Sequence, residues 1–338
     1  GSQHRSVTPI SSILTRAGLQ CIVAAIVSCC MATGAVLAAD APAPRVATTI
    51  QKSGTSANLM GVHVRDAALG WAVGTGGTIL KTSDGGKRWK AVPSGTTALL
   101  TGVSFADRQQ GWAVGANGVI LHSSDGGEKW SAQQSGTQSA LYGVFFLTAS
   151  VGWAVGASGT ILHTTDGGAH WDDQVSGSNA ILYAVHFVDP AHGGAVGALG
   201  TILVTADGGT TWRSHETDNA ATFFDVFFTD VNAGWAVGNA GALYQTTDGG
   251  QQWIDRAMVC VRTCTRPADL LRVRFSSPQA GWIVGERGTI FRTVDAGFSW
   301  NEVTTQVTKT TLYGLSFSNP AQGWAAGEQG TILAITAQ

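Results

Sequence analysis

An all-β ring, a seven-bladed β-propeller of four-stranded blades, is what this sequence predicts. Three observations carry that reading: a repeat of about forty residues, four short strand-like runs in each repeat, and a spare run near the start that matches one missing at the end. The repeat is marked by Trp71, Trp112, Trp153, Trp235, Trp282 and Trp324, with Gly194 at the same phase, and its step is 41 residues for the first five positions, then 47, then 42. Seven units result.

The elements follow in order within each unit. The first run reads Leu-x-x-Val-x-Phe, as in LTGVSF (100–105), LYGVFF (141–146) and LYAVHF (182–187). Next comes Gly-Trp-Ala-Val-Gly, then a Gly-Thr-Ile-Leu run, then a short run opened by the second tryptophan series, Trp89, Trp130, Trp171, Trp212, Trp253 and Trp300. Each run is too short and too rich in β-branched and aromatic residues for a helix, and Gly, Asn, Asp and Ser separate them every eight to twelve residues or so. The seventh unit stops at Gln338 after its third run, while TTIQKSGT (48–55) aligns with WKAVPSGT (89–96), so the N-terminal segment is expected to supply the outer strand of the last blade.

Composition narrows the class. Only 12 % of the 338 residues are charged and the formal charge is -2, which gives no support for a nucleic-acid or anionic-membrane binder. Residues 1–39 stand apart from the ring: Arg5 and Arg16 precede an apolar stretch over 17–38, and Val36 and Ala38 sit at small-residue cleavage positions. A secretory signal cleaved near Ala38 is the expectation, which makes the ring, residues 40–338, a periplasmic or otherwise exported monomer. The alternative is a lipoprotein anchored through Cys29 of IVSC (26–29), against which the apolar run continuing past Cys29 argues. Cys260 and Cys264 remain after cleavage, and in an exported chain two close cysteines read as a disulfide. A CxxxC pair alone is a poor zinc site, so no metal is implied.

A second motif runs through the units: Ser/Thr-x-Asp-x-Gly-x-x-Trp, as in SSDGGEKW (123–130), resembles the Asp-box of sialidases and related propellers. Its Asp84, Asp125, Asp166, Asp207, Asp248 and Asp295 recur in phase, and equivalent copies spread round a ring cannot all face one substrate. A structural role follows: Asp accepts backbone N–H bonds across a tight turn, Gly supplies positive φ, and Trp covers the turn. Asp66, Asp107, Asp189 and Asp230 are turn residues on the same logic. Catalysis has thin support. Glycoside hydrolysis needs paired carboxylates or a Tyr nucleophile with arginines; Tyr142, Tyr183 and Tyr313 share one repeat position with Met60, Thr101, Phe224 and Leu271, and Asp172, Asp173, Glu216, Asp255 and Glu302 are not paired by spacing. His122 and His163 share another position with Lys81, Val204, Gln245 and Arg292, as ordinary strand residues do. No HExxH, GxSxG or phosphate loop occurs, and no cofactor is implied.

Departures from the repeat are the informative residues, since the ring does not require them. Residues 254–269 contain six extra residues and carry Arg256, Arg262, Arg266 and both cysteines; Arg272, Arg274, Arg287 and Arg292 follow. Arg272 stands where other units have Gly61, Gly102, Gly143, Ala184 and Gly314, and Asp225 breaks the same position one unit earlier, so an Arg272–Asp225 pair is expected. Two readings stay open for the cluster: a solvated charged loop, or a binding face that uses arginine's bidentate contacts.

With GWAVGxxGTIL, TxDGGxxW and Leu-x-x-Val-x-Phe in hand, the chain over residues 45–338 resembles the photosystem II stability and assembly factor family, members of which also occur in non-photosynthetic bacteria. That resemblance implies a non-enzymatic, exported helper in assembling or stabilising a membrane-protein complex, with an arginine patch for its partner. Arg256, Arg262, Arg266, Arg272, Arg274 and Arg287 are the candidates. Coupling to an envelope transport system is a variant of this expectation, and a glycosidase or polysaccharide-binding propeller is the alternative.

Overall fold

The computed structural model describes residues 45–338 apart from 216, 218, 219, 257–266 and 306. Alternating short strands form seven antiparallel sheets of four strands each, arranged as a ring. Blade 1 is built from Leu59–Val64, Gly70–Gly74, Ile79–Thr82 and Lys90–Ala91, called a to d from the centre outward. Blades 2 to 6 repeat the pattern from Leu100–Phe105, Leu141–Phe146, Leu182–Phe187, Phe223–Phe228 and Leu270–Phe275. Blade 7 has Leu312–Asn319, Gln322–Gly327 and Ile332–Ala337 as a to c, and Val46–Gln51 as its outer strand, in the register Val46↔Ala337 to Gln51↔Ile332. The expected closure by the N-terminal strand is therefore present. Thr48, the residue aligned with the tryptophans, faces Thr305 with its hydroxyl 3.0 Å away.

The core lies between blades. Trp71, Trp112, Trp153, Trp235 and Trp282 are among the largest fully buried side chains. Trp71 stacks on Phe105 of the next blade with ring centroids 3.5 Å apart, and Trp112 on Phe146 at 3.4 Å. Each indole also has a polar atom to satisfy: Trp71 Nε1 donates to Gly126 O and Trp112 Nε1 to Gly167 O, both at 3.0 Å. Burying an aromatic of this size stabilises by about 2–3 kcal/mol, so the repeated Trp–Phe stack is the main adhesive between blades.

The turns take the roles that their residue types suggest. Asp125 Oδ1 accepts the backbone N–H groups of Glu128 and Lys129, each at 3.0 Å, while Ser123 Oγ accepts that of Gly127 at 2.8 Å. Asp66, Asp107, Asp189 and Asp230 each cap the a–b turn through two backbone N–H groups. In the b–c turn, Gly118 has φ +69°, and a Cβ there would lie 2.1 Å from Thr137 O, so no other residue fits. His122 and His163 stack on Trp112 and Trp153 as outward strand residues.

Candidate functional site

Two positions of each inner strand face the central channel. The first carries Gly61, Gly102, Gly143, Ala184, Asp225, Arg272 and Gly314; the second carries His63, Ser104, Phe145, His186, Phe227, Arg274 and Ser316. Small residues dominate the first because the inner strands converge: a Cβ at Gly314 would be 3.0 Å from Val62 N of blade 1. The face bearing the d–a and b–c connections opens on a small chamber of about 70 Å³, and the Asp-box face on a larger one of about 410 Å³ lined by the second position.

Among the described residues, the two channel-facing positions carry charged side chains in blades 5 and 6, and Arg65 of blade 1 adds a charge to the wall of the larger chamber. Asp225 is 2 % exposed, and its Oδ2 accepts Val273 N at 2.9 Å and Arg274 Nη1 in a short ion pair. The expected Arg272–Asp225 pair is thus corrected to Arg274–Asp225. The cause is an offset between neighbouring inner strands. Ser104 Oγ reaches Phe146 N, His186 Nδ1 reaches Phe228 N and Ser316 Oγ reaches Val64 N, each one residue further along the next blade. The same offset carries the Asp225 carboxylate past Arg272 to Val273 and Arg274. Arg272 Nη1 instead donates to two carbonyls, Leu271 O at 2.7 Å and Phe224 O at 3.4 Å. Burial lowers its pKa, opposed by the charge of Asp225.

The remaining arginines spread outward. Arg287 sits in the b–c turn of blade 6 at φ 56° and pairs with Glu286 at 3.3 Å. The end of the insertion meets that turn, since Glu286 N donates to Asp269 O at 3.0 Å and Asp269 N to Glu286 Oε2 at 3.2 Å. Asp269 Oδ1 also accepts Ala240 N of the blade 5 turn. Arg256 lies at the outer edge of blade 5, with Nε 3.1 Å from Gln245 Oε1. Arg292 rests over the Trp282 ring at 5.0 Å. Arg262, Arg266, Cys260 and Cys264 lie outside the described residues, as do residues 1–44, which include the expected signal and Cys29.

Two channel residues escaped the sequence reading. His63 and His186 line the Asp-box chamber; burial, with Arg65 and Arg274 adding repulsion, lowers the pKa of His63 to about 4, and burial with Arg274 lowers that of His186 to about 3. Comparing the second channel position across units, as was done for the first, would have exposed them. Tyr142, Tyr183 and Phe224 ring the opposite mouth, with centroids 5.3 Å and 5.5 Å apart.

Asp-box blades around a channel with an Asp–Arg cluster on blades 5 and 6 define an Asp-box β-propeller with one polarised sector. The family model described as Photosynthesis system II assembly factor YCF48 matches residues 45–135, 214–305 and 261–336, and the chain belongs to that family. Among solved structures it is similar to YCF48 bound to D1 peptide (TM-score 0.71, 22% identity, covering 87% of this chain and 97% of that one). It is similar also to YCF48 from Cyanidioschyzon merolae (0.70, 22%, 86% and 99%). A streptogramin B lyase shares the fold as well (0.73, 15%, 87% and 98%), so the architecture by itself does not select a function. No curated protein matches the chain.

Proposed function

We propose that this protein is a non-enzymatic binding scaffold, exported from the cytoplasm, that assists assembly or stability of a membrane-protein complex. It engages a protein partner through the face where Asp269 at the end of the insertion, the Glu286–Gly288 turn and the Arg272 end of the channel meet. Membership of an assembly-factor family supports the general role, and a similar protein was solved bound to a D1 peptide. The observation that carries the reading is Arg272: a guanidinium at the channel mouth that bonds two carbonyls and, among the described residues, no carboxylate. Arginines so placed are frequent interface hot spots worth about 2 kcal/mol or more.

The experiment compares two sets of alanine variants in capture of partners from solubilised membranes. Arg262, Arg266 and Arg287 changed together, and Arg272 alone, should each weaken capture about tenfold or more. Arg65, Arg108 and Lys129 changed together, on the Asp-box face, should leave it unchanged. Equal loss from both faces would reduce the effect to general electrostatics, and no loss from either would refute the binding face. Turnover on a panel of glycosides would refute the non-enzymatic reading.

A further inference from the structure

The larger channel chamber, on the Asp-box face and away from the proposed partner face, is lined by donors whose acceptors are already engaged. Ser104 Oγ, Ser316 Oγ and His186 Nδ1 each accept a backbone N–H of the next blade: Phe146 N at 3.1 Å, Val64 N at 2.9 Å and Phe228 N at 3.2 Å. A serine so engaged still carries its O–H, and a neutral histidine so engaged carries its proton on Nε2. His186 is neutral, since burial lowers its pKa to about 3. Among the described residues none of these three protons has an acceptor, although Ser104 is only 6 % exposed. The offset that joins neighbouring blades thus leaves hydrogen-bond donors on the chamber wall.

Arg274 has the same bias. Its Nη1 serves Asp225 Oδ2 and Val273 O, while among the described residues Nε and Nη2 bond no acceptor. Arg65 adds a second cation to the wall, and no carboxylate is among the described residues that line the chamber, Asp225 lining the smaller one. Cations and donors without a carboxylate select an anion. The rest of the wall says which anion. Phe145, His186 and Phe227 stand on successive blades with ring centroids 4.8 Å and 4.3 Å apart, and Arg274 follows on the next blade, 5.8 Å from the Phe227 ring. An aromatic arc that ends on a guanidinium matches a planar ring bearing an acid group. The chamber's volume of about 410 Å³ lies within the range of about 300–1,000 Å³ typical of small-ligand pockets.

We propose that the chamber on the Asp-box face is a binding site for a small aromatic carboxylate, its acid group held by Arg274 with Ser316 beside it and its ring against the arc of Phe145, His186 and Phe227. Titration of the full chain with phenylacetate, followed by ligand-observed NMR, should show saturable binding with a Kd of about 1 mM or below. Phenylacetamide, of the same shape without the charge, and acetate, without the ring, should each bind about tenfold more weakly. Ser104→Phe places in blade 2 the residue that blades 3 and 5 carry at this position and fills the chamber. Asp225→Ala with Arg274→Ser removes the anchor without leaving its buried partner charged and alone. Each change should weaken phenylacetate binding about tenfold or more, whereas Arg287→Ala, on the opposite face, should leave it unchanged. A short peptide ending in phenylalanine with a free carboxylate separates the sources of this chemistry: tighter binding than phenylacetate assigns the site to a chain end, and weaker binding assigns it to a free small molecule. Absence of saturable binding by both probes, affinity for phenylacetamide or acetate equal to that for phenylacetate, or binding unchanged in both folded variants would overturn the proposal.

Discussion

Acid should loosen the ring through its two channel histidines, and the size of the effect follows from their burial. An unfolded chain takes a proton on each near pH 6.5, whereas folded His63 waits until about 4 and His186 until about 3. Between those limits the unfolded state holds more protons, so falling pH favours unfolding. The stability in question is fully present about one pH unit or more above 6.5, declines as pH falls, and reaches its floor below pH 4 for one residue and below pH 3 for the other. Each histidine contributes up to about 1.4 kcal/mol per pH unit within its window, and since the unfolded chain is half protonated at pH 6.5, the pair costs about 3 kcal/mol from pH 6.5 to 5. The variant to compare is His63→Ser with His186→Ser, because Ser104 and Ser316 already fill that channel position and accept the next blade's N–H. Urea unfolding followed by tryptophan fluorescence at pH 6.5 and 5 should show the wild-type chain losing about 3 kcal/mol more than the double variant. His122 and His163, whose pKa values are also lowered by burial, remain in both proteins and cancel. Parallel losses in the two proteins would refute the argument.

Removing residues 45–52 should leave blade 7 with an unpaired edge, lowering the melting temperature and promoting association in size-exclusion chromatography; melting and elution like the parent would refute closure by this strand. Asp225→Ala should cost about 3–5 kcal/mol in denaturant unfolding, because it leaves Arg274 unpaired beside Arg272, and adding Arg274→Ser should recover most of the loss. Asp125→Ala should destabilise by about 1–2 kcal/mol through lost turn hydrogen bonds while leaving partner capture intact. In oxidised protein, free-thiol titration should find Cys260 and Cys264 unreactive, and two reactive thiols would exclude their bridge.

The ring was legible because its signals are local and repeated. A Trp–Phe stack or an Asp-box turn is written within a few residues and then copied, and the alignment of Thr48 with the tryptophan series located the closing strand. Pairing across the channel was not legible. Whether Asp225 meets Arg272 or Arg274 depends on the one-residue offset between adjacent inner strands, which no single unit encodes. Gly194 was visible as a substitution, but what fills the place of the missing indole was not: Val204, ten residues away in sequence and directly opposite in the sheet, and Phe228 of the next blade. His63 and His186 were hidden for a related reason: Ser, Phe, His and Arg share their position, and such variety resembles an exposed site until the strands are seen to converge.

The seam in blade 7 makes the ring's integrity a property of the whole circumference. Val46 pairs with Ala337, and Gln338 N donates to Arg45 O at 2.9 Å, so the joint links segments separated by nearly the whole described sequence. Bringing such segments together costs about 5 kcal/mol of loop-closure entropy, far more than pairing any two strands within a blade. Closure is therefore the natural last step of folding, and opening the seam the natural first step of unfolding. A short tether between residues 45 and 338 would make this closure covalent and remove its entropic cost, and the tethered chain cut in a d–a connection of another blade would place its ends there.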